Sequence, residues 1–248
     1  MDLGLAGRRA AVPAATAGLG FASATALAAE GVRVAVCGRN RARVDAAVRR
    51  LGEGAVGIVA DLSDPDECER FVVDARAALG GLDILVTNGP GPRAGTFADT
   101  APHEYRSALD LNLLSVVRMC YAAVPGMRQQ GWGRIVAITS IAVRQPIANL
   151  ILSNTARAGT TGFLRTLARE VAQDGVTVNS VQPGLHATER VRTVFGDGLA
   201  EEIARIPART LGQPADLGAV VAFLCSQQAR YLTGSAIPVD GGQYQALL

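Results

Sequence analysis

Short, continuous runs of apolar and largely β-branched residues recur along the chain at 33–36, 56–59, 84–86, 135–138, 176–178 and 236–239, separated by longer Ala- and Leu-rich stretches. Such runs lack the apolar/polar alternation of half-exposed antiparallel strands. The stretches between them are long enough for helices. The pattern therefore predicts a parallel sheet covered by helices on both faces, the doubly wound α/β (Rossmann) arrangement, with one more strand ahead of residue 14. Local punctuation agrees with it. Ser63, Asp64 and Pro65 read as a cap and a helix start, and Gly80-Gly81 as that helix's end. Between 156 and 172, Phe163, Leu164, Leu167 and Val171 recur at three- and four-residue spacing and give a helix one apolar face. No internal repeat or linker interrupts the sequence.

Composition narrows the functional classes. A chain of 248 residues with 49% hydrophobic residues fits one α/β domain spanning 1–248. Lys+Arg 24 against Asp+Glu 22, with no basic tract, gives no field that would gather a polyanion, so nucleic acid is not expected as a partner. Cys37, Cys68, Cys120 and Cys225 lie far apart without metal-ligand spacing and read as buried free thiols. With His103 and His186 as the only histidines, no metal centre is expected. Arg8 and Arg9 ahead of an uncharged stretch superficially resemble a signal peptide, but Pro13, Gly18 and Gly20 interrupt it and a strand-turn-helix explains the same residues. The expectation is a cytoplasmic, unprocessed protein that does not engage a membrane.

The first chemistry-bearing motif is the turn Ala14-Ala15-Thr16-Ala17-Gly18-Leu19-Gly20, between the first strand and a helix ending near Glu30. A glycine-rich turn of this kind lets backbone N–H groups and a helix N-terminus approach a pyrophosphate. With it come Asp61-Leu62, Asn88-Gly89-Pro90-Gly91, Asn112 within Leu111-Asn112-Leu113, Pro183-Gly184 followed by Thr188, and an ending from Tyr231-Leu232-Thr233-Gly234 through Val239-Asp240-Gly241-Gly242. Together these resemble the short-chain dehydrogenase/reductase family nearly end to end. The resemblance implies a dinucleotide site formed by Ala14, Thr16, Gly18, Leu19, Gly20, Asp61, Leu62, Asn88, Gly89, Pro183, Gly184 and Thr188. The family's opening motif is T-G-x-x-x-G-x-G, and here Pro13 and Ala14 replace its Thr and first Gly. If position 14 needs a left-handed backbone, alanine there costs about 1–2 kcal/mol.

Cofactor preference is read at the end of the second strand. An acidic side chain at Gly38 would hold a ribose 2′-hydroxyl, whereas Gly38 followed by Arg39 offers space and a guanidinium fork for a 2′-phosphate. NADP(H) is the expected cofactor.

At the reacting end, Ser140 matches the family's substrate-orienting serine and Asn112 its helix-kinking catalytic asparagine. Thirteen and seventeen residues after Ser140, where the family places tyrosine and lysine, stand Ser153 and Arg157. A serine hydroxyl is far less acidic and shorter than a lysine-assisted phenol, and a positioned acid is worth about 10²–10⁴-fold in rate. The stretch from Gln145 to Arg157 resembles a divergent, ketoacyl-carrier-protein-reductase-like branch that also lacks the tyrosine and the first glycine. Asn112, Ser140, Ser153 and Arg157 are thus the expected catalytic group, and His186 a candidate proton donor. Three readings compete: an NADP-dependent oxidoreductase on a small carbonyl or alcohol with a reorganised proton-transfer site; a non-redox dehydratase, isomerase or cyclase; and a nucleotide-binding protein without turnover. The segment 185–209 is expected to cover the substrate. By resemblance, the helix from 156 and the tail through Leu247-Leu248 would pack a homodimer or homotetramer.

Overall fold

The computed structural model describes residues 2–247. Among these residues, seven strands form one parallel sheet in the order β3-β2-β1-β4-β5-β6-β7. The strands are β1 (Arg9–Val12), β2 (Arg33–Gly38), β3 (Val56–Val59), β4 (Ile84–Thr87), β5 (Gly133–Ile138), β6 (Val176–Pro183) and β7 (Ala236–Val239). Each apolar run became a strand, several of them longer than the run itself. The extension of β6 to Pro183 matters most, because it brings Pro183-Gly184 to the sheet's C-terminal edge.

One face of the sheet is covered by α1 (Gly18–Ala29), α2 (Arg41–Leu51) and α9 (Pro214–Cys225), around a core that includes Leu27, Ala47 and Val221. Gly218 lets α9 lie against α1, since a Cβ there would stand 2.7 Å from the Ala22 carbonyl. The other face carries α3 (Pro65–Leu79), α4 (Glu104–Leu109), α5 (Ser115–Gln129) and α6 (Ile151–Val171), with Phe71, Met119 and Leu164 in its core. The α3 boundaries follow from their chemistry: the Asp64 carboxylate accepts from the Asp66 N–H at 2.9 Å, Pro65 occupies the first turn, and Gly80 closes the helix at φ +72°. The helical run Glu104–Gln129 is long and apolar enough to cross a membrane, yet it packs against α3 and α6 within the fold.

Three expectations need correction or qualification. Helix α6 begins at Ile151 rather than near 156, so Ser153 and Arg157 share its first turns. Its apolar residues face inward: Leu164 and Val171 are buried, and Phe163 and Leu167 pack on the same core. They are therefore not a free docking face. Leu247 is fully exposed, and Leu248 lies outside the described residues. Segment 185–209 folds into α7 (Glu189–Phe195), a 3₁₀ turn and α8 (Leu199–Arg205).

Because strand order reverses between β1 and β4, the helices leave the sheet in opposite directions there and open a crevice at the C-terminal strand ends.

Candidate active site

The turn after β1 starts the crevice. Ala14 takes φ +47° and Gly18 φ +60°. The left-handed conformation anticipated at position 14 is therefore present with an alanine in it. A neighbouring side chain holds it. The Asn88 amide, arriving from the end of β4, donates to the carbonyls of Pro13 at 3.3 Å and Ala14 at 3.2 Å, while the Ala15 N–H donates to the Cys37 carbonyl at 3.1 Å. Gly20 makes the approach possible, because a Cβ there would stand 2.4 Å from Asn88 Nδ2 and 2.9 Å from the Ala14 carbonyl oxygen. Helix α1 starts at Gly18 with no side-chain cap from Ala17, leaving its first N–H groups without a capping acceptor. Such an end attracts an anion.

Farther along, Gly38, Arg39, Asp61 and Leu62 line the same crevice. The carboxylate of Asp61 accepts from the Ser63 N–H at 3.0 Å and hydroxyl at 2.8 Å, which, with the nearby Arg39, holds its pKa below the ordinary carboxylate value. Arg39 is a loose ion-pair partner at 4.0 Å and is largely exposed. The room expected at Gly38 is partly filled, since a Cβ there would meet Thr16 Cγ2 at 2.7 Å. Arg43 also lines this end of the crevice and was missed in the sequence. Its signal was available: Asn40 caps α2 by accepting from the Arg43 N–H at 3.1 Å, which puts residue 43 in the first turn beside Arg39.

The reacting end is built around an irregular helix. Between α4 and α5 a π-helical turn, Asp110–Leu114, interrupts the α-helical ladder. It turns Asn112 inward, where Nδ2 donates to the Pro90 carbonyl at 3.1 Å and the main-chain carbonyl accepts from Thr160 of α6 at 2.6 Å. Asn112 is 5% exposed and lies behind the main crevice rather than on its wall. It borders a cavity of about 10 Å³, with its own Oδ1 and Thr87 Oγ1 lacking protein partners. That is about the space one water needs.

Ser140, Ser153 and Arg157 lie on the crevice wall. Ser140 follows β5 and caps the 3₁₀ turn Ile141–Val143, its Oγ accepting from the Ala142 N–H at 3.1 Å. Ser153 is buried, and among the described residues its hydroxyl has no hydrogen-bond partner. One turn on, Arg157 donates from Nη1 to the Ile138 carbonyl at 3.0 Å. Protein surrounds this guanidinium and Arg190 stands nearby, so its pKa falls to about 10; it remains a cation at neutral pH.

Pro183, Gly184 and Thr188 close the crevice from the other side. Gly184 is packed against Asp240, and the Thr188 hydroxyl caps α7 by accepting from the Val191 N–H at 3.4 Å. His186 is less suited to acid catalysis than its position in sequence implied. It is 2% exposed, its Nδ1 faces the Gly184 carbonyl at 3.2 Å, its ring packs on Gly212, and burial lowers its pKa. The neutral ring is the favoured form. Among the described residues, no His/Cys/Asp/Glu cluster could hold a metal ion.

Every expected nucleotide-binding position therefore borders one cleft of about 970 Å³, as do Ser140, Ser153 and Arg157. Comparison with known proteins identifies the family. Residues 14–243 match the family described as Enoyl-(Acyl carrier protein) reductase. The chain is 37% identical over 244 residues to the human protein Dehydrogenase/reductase SDR family member 4, covering 96% of this chain and 88% of that one. It is 34% identical over 238 residues to the 3-oxoacyl-(acyl-carrier-protein) reductase FabG of Escherichia coli, covering 96% and 98%. The solved structure of L-sorbose reductase from Gluconobacter frateurii, complexed with NADPH and L-sorbose, superimposes with a TM-score of 0.93 at 31% identity and covers all of both chains. With sheet order, crevice and sequence in agreement over almost its whole length, the chain belongs to the short-chain dehydrogenase/reductase family of oxidoreductases.

Proposed function

We propose that this protein is an NADP(H)-dependent oxidoreductase that interconverts a small carbonyl compound and its alcohol, with a proton-transfer site that uses no tyrosine. The observation that carries this reading is the continuous cleft from the uncapped start of α1 to Ser140, Ser153 and Arg157. Its donors fit a phosphorylated dinucleotide: open N–H groups at α1 suit a diphosphate, and Arg39 with Arg43 suits a 2′-phosphate. Ala14, Thr16, Gly18, Leu19, Gly20, Asp61, Leu62, Asn88, Gly89, Pro183, Gly184 and Thr188 would complete the site. The related L-sorbose reductase was solved with NADPH, which favours the same assignment. Bound NADPH supplies the hydride.

The remaining chemistry falls to the chain's own groups. The hydroxyls of Ser140 and Ser153 orient the substrate oxygen by hydrogen bonding, and Arg157 stabilises negative charge that develops on it. A guanidinium with a pKa near 10 remains a poor acid at neutral pH, so the proton comes from solvent, passed by the serines. Asn112 positions α6 through Thr160 and borders the small cavity beside Arg157. The segment 185–209 covers the substrate as part of one domain spanning 1–248. Four buried free thiols accord with a reducing, cytoplasmic setting. A homodimer or homotetramer is expected.

Titration with NADPH, NADP, NADH and NAD, followed by NADPH absorbance on a carbonyl panel, tests the reading. Micromolar affinity for the phosphorylated pair and substrate-dependent loss of NADPH support it. Conversion without net NADPH consumption would instead identify a dehydratase, isomerase or cyclase. Failure of all four nucleotides to bind overturns the assignment.

A further inference from the structure

The substrate end of the cleft carries an uncompensated positive charge. Two carboxylates line the cleft, and both are engaged: Asp61 lies beside Arg39, and Glu202 pairs with Arg205. Arg157 and Arg190 line it too, and among the described residues neither has an acidic partner. Each is instead fixed by one carbonyl. Arg157 donates to Ile138 at 3.0 Å, and Arg190 Nη2 to Pro92 at 2.7 Å. Arg190 lies over Gly91, where a Cβ would stand 3.2 Å from its Nη2; a larger residue at 91 would crowd the guanidinium. Arg190 stands close enough to Arg157 to disfavour the charge on Arg157. A guanidinium has five N–H donors, so one carbonyl leaves most of each fork available. Arg157 is half-buried and Arg190 is exposed, and guanidinium forks left free in this way suit a carboxylate or phosphate.

We infer that this cleft selects an anionic substrate, such as a keto acid or hydroxy acid, whose carboxylate or phosphate is gripped by Arg190 beside Arg157. The inference rests on the oxidoreductase reading for the reaction, but the anion site can be measured separately. The same oxyanion chemistry occurs in the diphosphate of the dinucleotide. The uncapped start of α1 already provides for that group, and Arg190 is anchored on the Gly91-Pro92 loop.

The test titrates NADPH-loaded protein with acetoacetate, malonate and the uncharged methyl acetoacetate, reading NADPH fluorescence, in the wild type, Arg190→Gln and Arg190→Lys. NADPH affinity is measured separately for each protein, and malonate binding to the nucleotide-free protein is measured by calorimetry. Losing a charge-assisted, bidentate contact should weaken binding of the acids about tenfold or more in Arg190→Gln, with partial retention in Arg190→Lys. The ester should bind wild type about tenfold more weakly than the acid, and the NADPH Kd should stay within about twofold. Equal binding of ester and acid overturns the inference. So does a comparable loss of NADPH affinity in Arg190→Gln, which would assign Arg190 to the nucleotide phosphates. If the wild type binds no NADPH, the oxidoreductase reading fails by itself; malonate binding to the nucleotide-free protein that is lost in Arg190→Gln would still support the anion site, and no such binding would overturn it.

Discussion

By the resemblance read in the sequence, Ala14, at one end of the cleft, and Ser153 with Arg157, at the other, stand at positions expected to hold other residues, and the fold treats the two places differently. At Ala14 the departure is absorbed locally. A left-handed alanine costs about 1–2 kcal/mol, while each hydrogen bond from Asn88 to the flanking carbonyls returns about 0.5–1.5 kcal/mol. Around Ser153 no comparable compensation exists: its hydroxyl is unpartnered among the described residues, and Arg157 holds one carbonyl and no acid. A backbone conformation can be restored by neighbours because only geometry has to be recovered. A proton donor expected at position 153 could not be restored that way, because acidity belongs to the side chain itself. The contrast says that nucleotide binding should survive in this chain while the chemistry is altered.

The largest effect should come from rebuilding the reacting end. The double variant Ser153→Tyr/Arg157→Lys should raise kcat/KM for NADPH-dependent carbonyl reduction about 10²–10⁴-fold in steady-state assays, the value of a positioned acid. No gain would mean that the pocket has been reshaped for other chemistry. Next comes an attack on the absorbed departure. Gly20→Ala drives a Cβ to 2.4 Å from Asn88 Nδ2, which should displace the brace on Ala14 and lower NADPH affinity about 10–100-fold by calorimetry. Unchanged affinity would show that the brace is dispensable.

Arg39→Asp should shift the NADPH/NADH affinity ratio about tenfold toward NADH; the effect is modest because Arg39 is largely exposed and Arg43 remains beside it. An unchanged ratio would remove Arg39 from the cofactor assignment. The smallest effect is expected at Ala14 itself. Ala14→Gly relieves about 1–2 kcal/mol of backbone strain and adds about 0.5–1 kcal/mol of unfolded-state entropy. The net expectation is about 0.5–1 kcal/mol of stabilisation in urea unfolding. Destabilisation would mean that Asn88 already cancels the strain.

Much of this molecule was legible before the coordinates. Continuous β-branched runs mark buried parallel strands because such strands meet helices on both faces, and all of those runs are strands here. The cap at Asp64-Pro65 and the stop at Gly80 were equally readable, since each depends on a residue and its immediate neighbours. Helix α6 was placed too late because its first turn, Ile151–Asn154, holds a polar pair that interrupts the apolar stripe. Arg43 went unseen because a helical arginine next to other arginines looks like an ordinary solvated face. Only the crossover from β2 turns that first helical turn toward the cleft.

The sequence by itself determined the fold class, the strand positions, the glycine-rich turn after β1 and the presence of Ser153 and Arg157 thirteen and seventeen residues after Ser140. These are local properties: apolar periodicity, capping chemistry, glycine content and residue identity at a spacing. The tertiary structure decided that Asn88 braces Ala14 across 74 positions of chain, that Asn112 stands behind the cleft wall, that His186 is buried, and that Arg157 and Arg190 line one cleft with no acidic partner among the described residues. Hydrogen bonding and charge depend on distance in space, and in a parallel sheet with crossover helices the groups that meet at the strand ends come from distant parts of the chain.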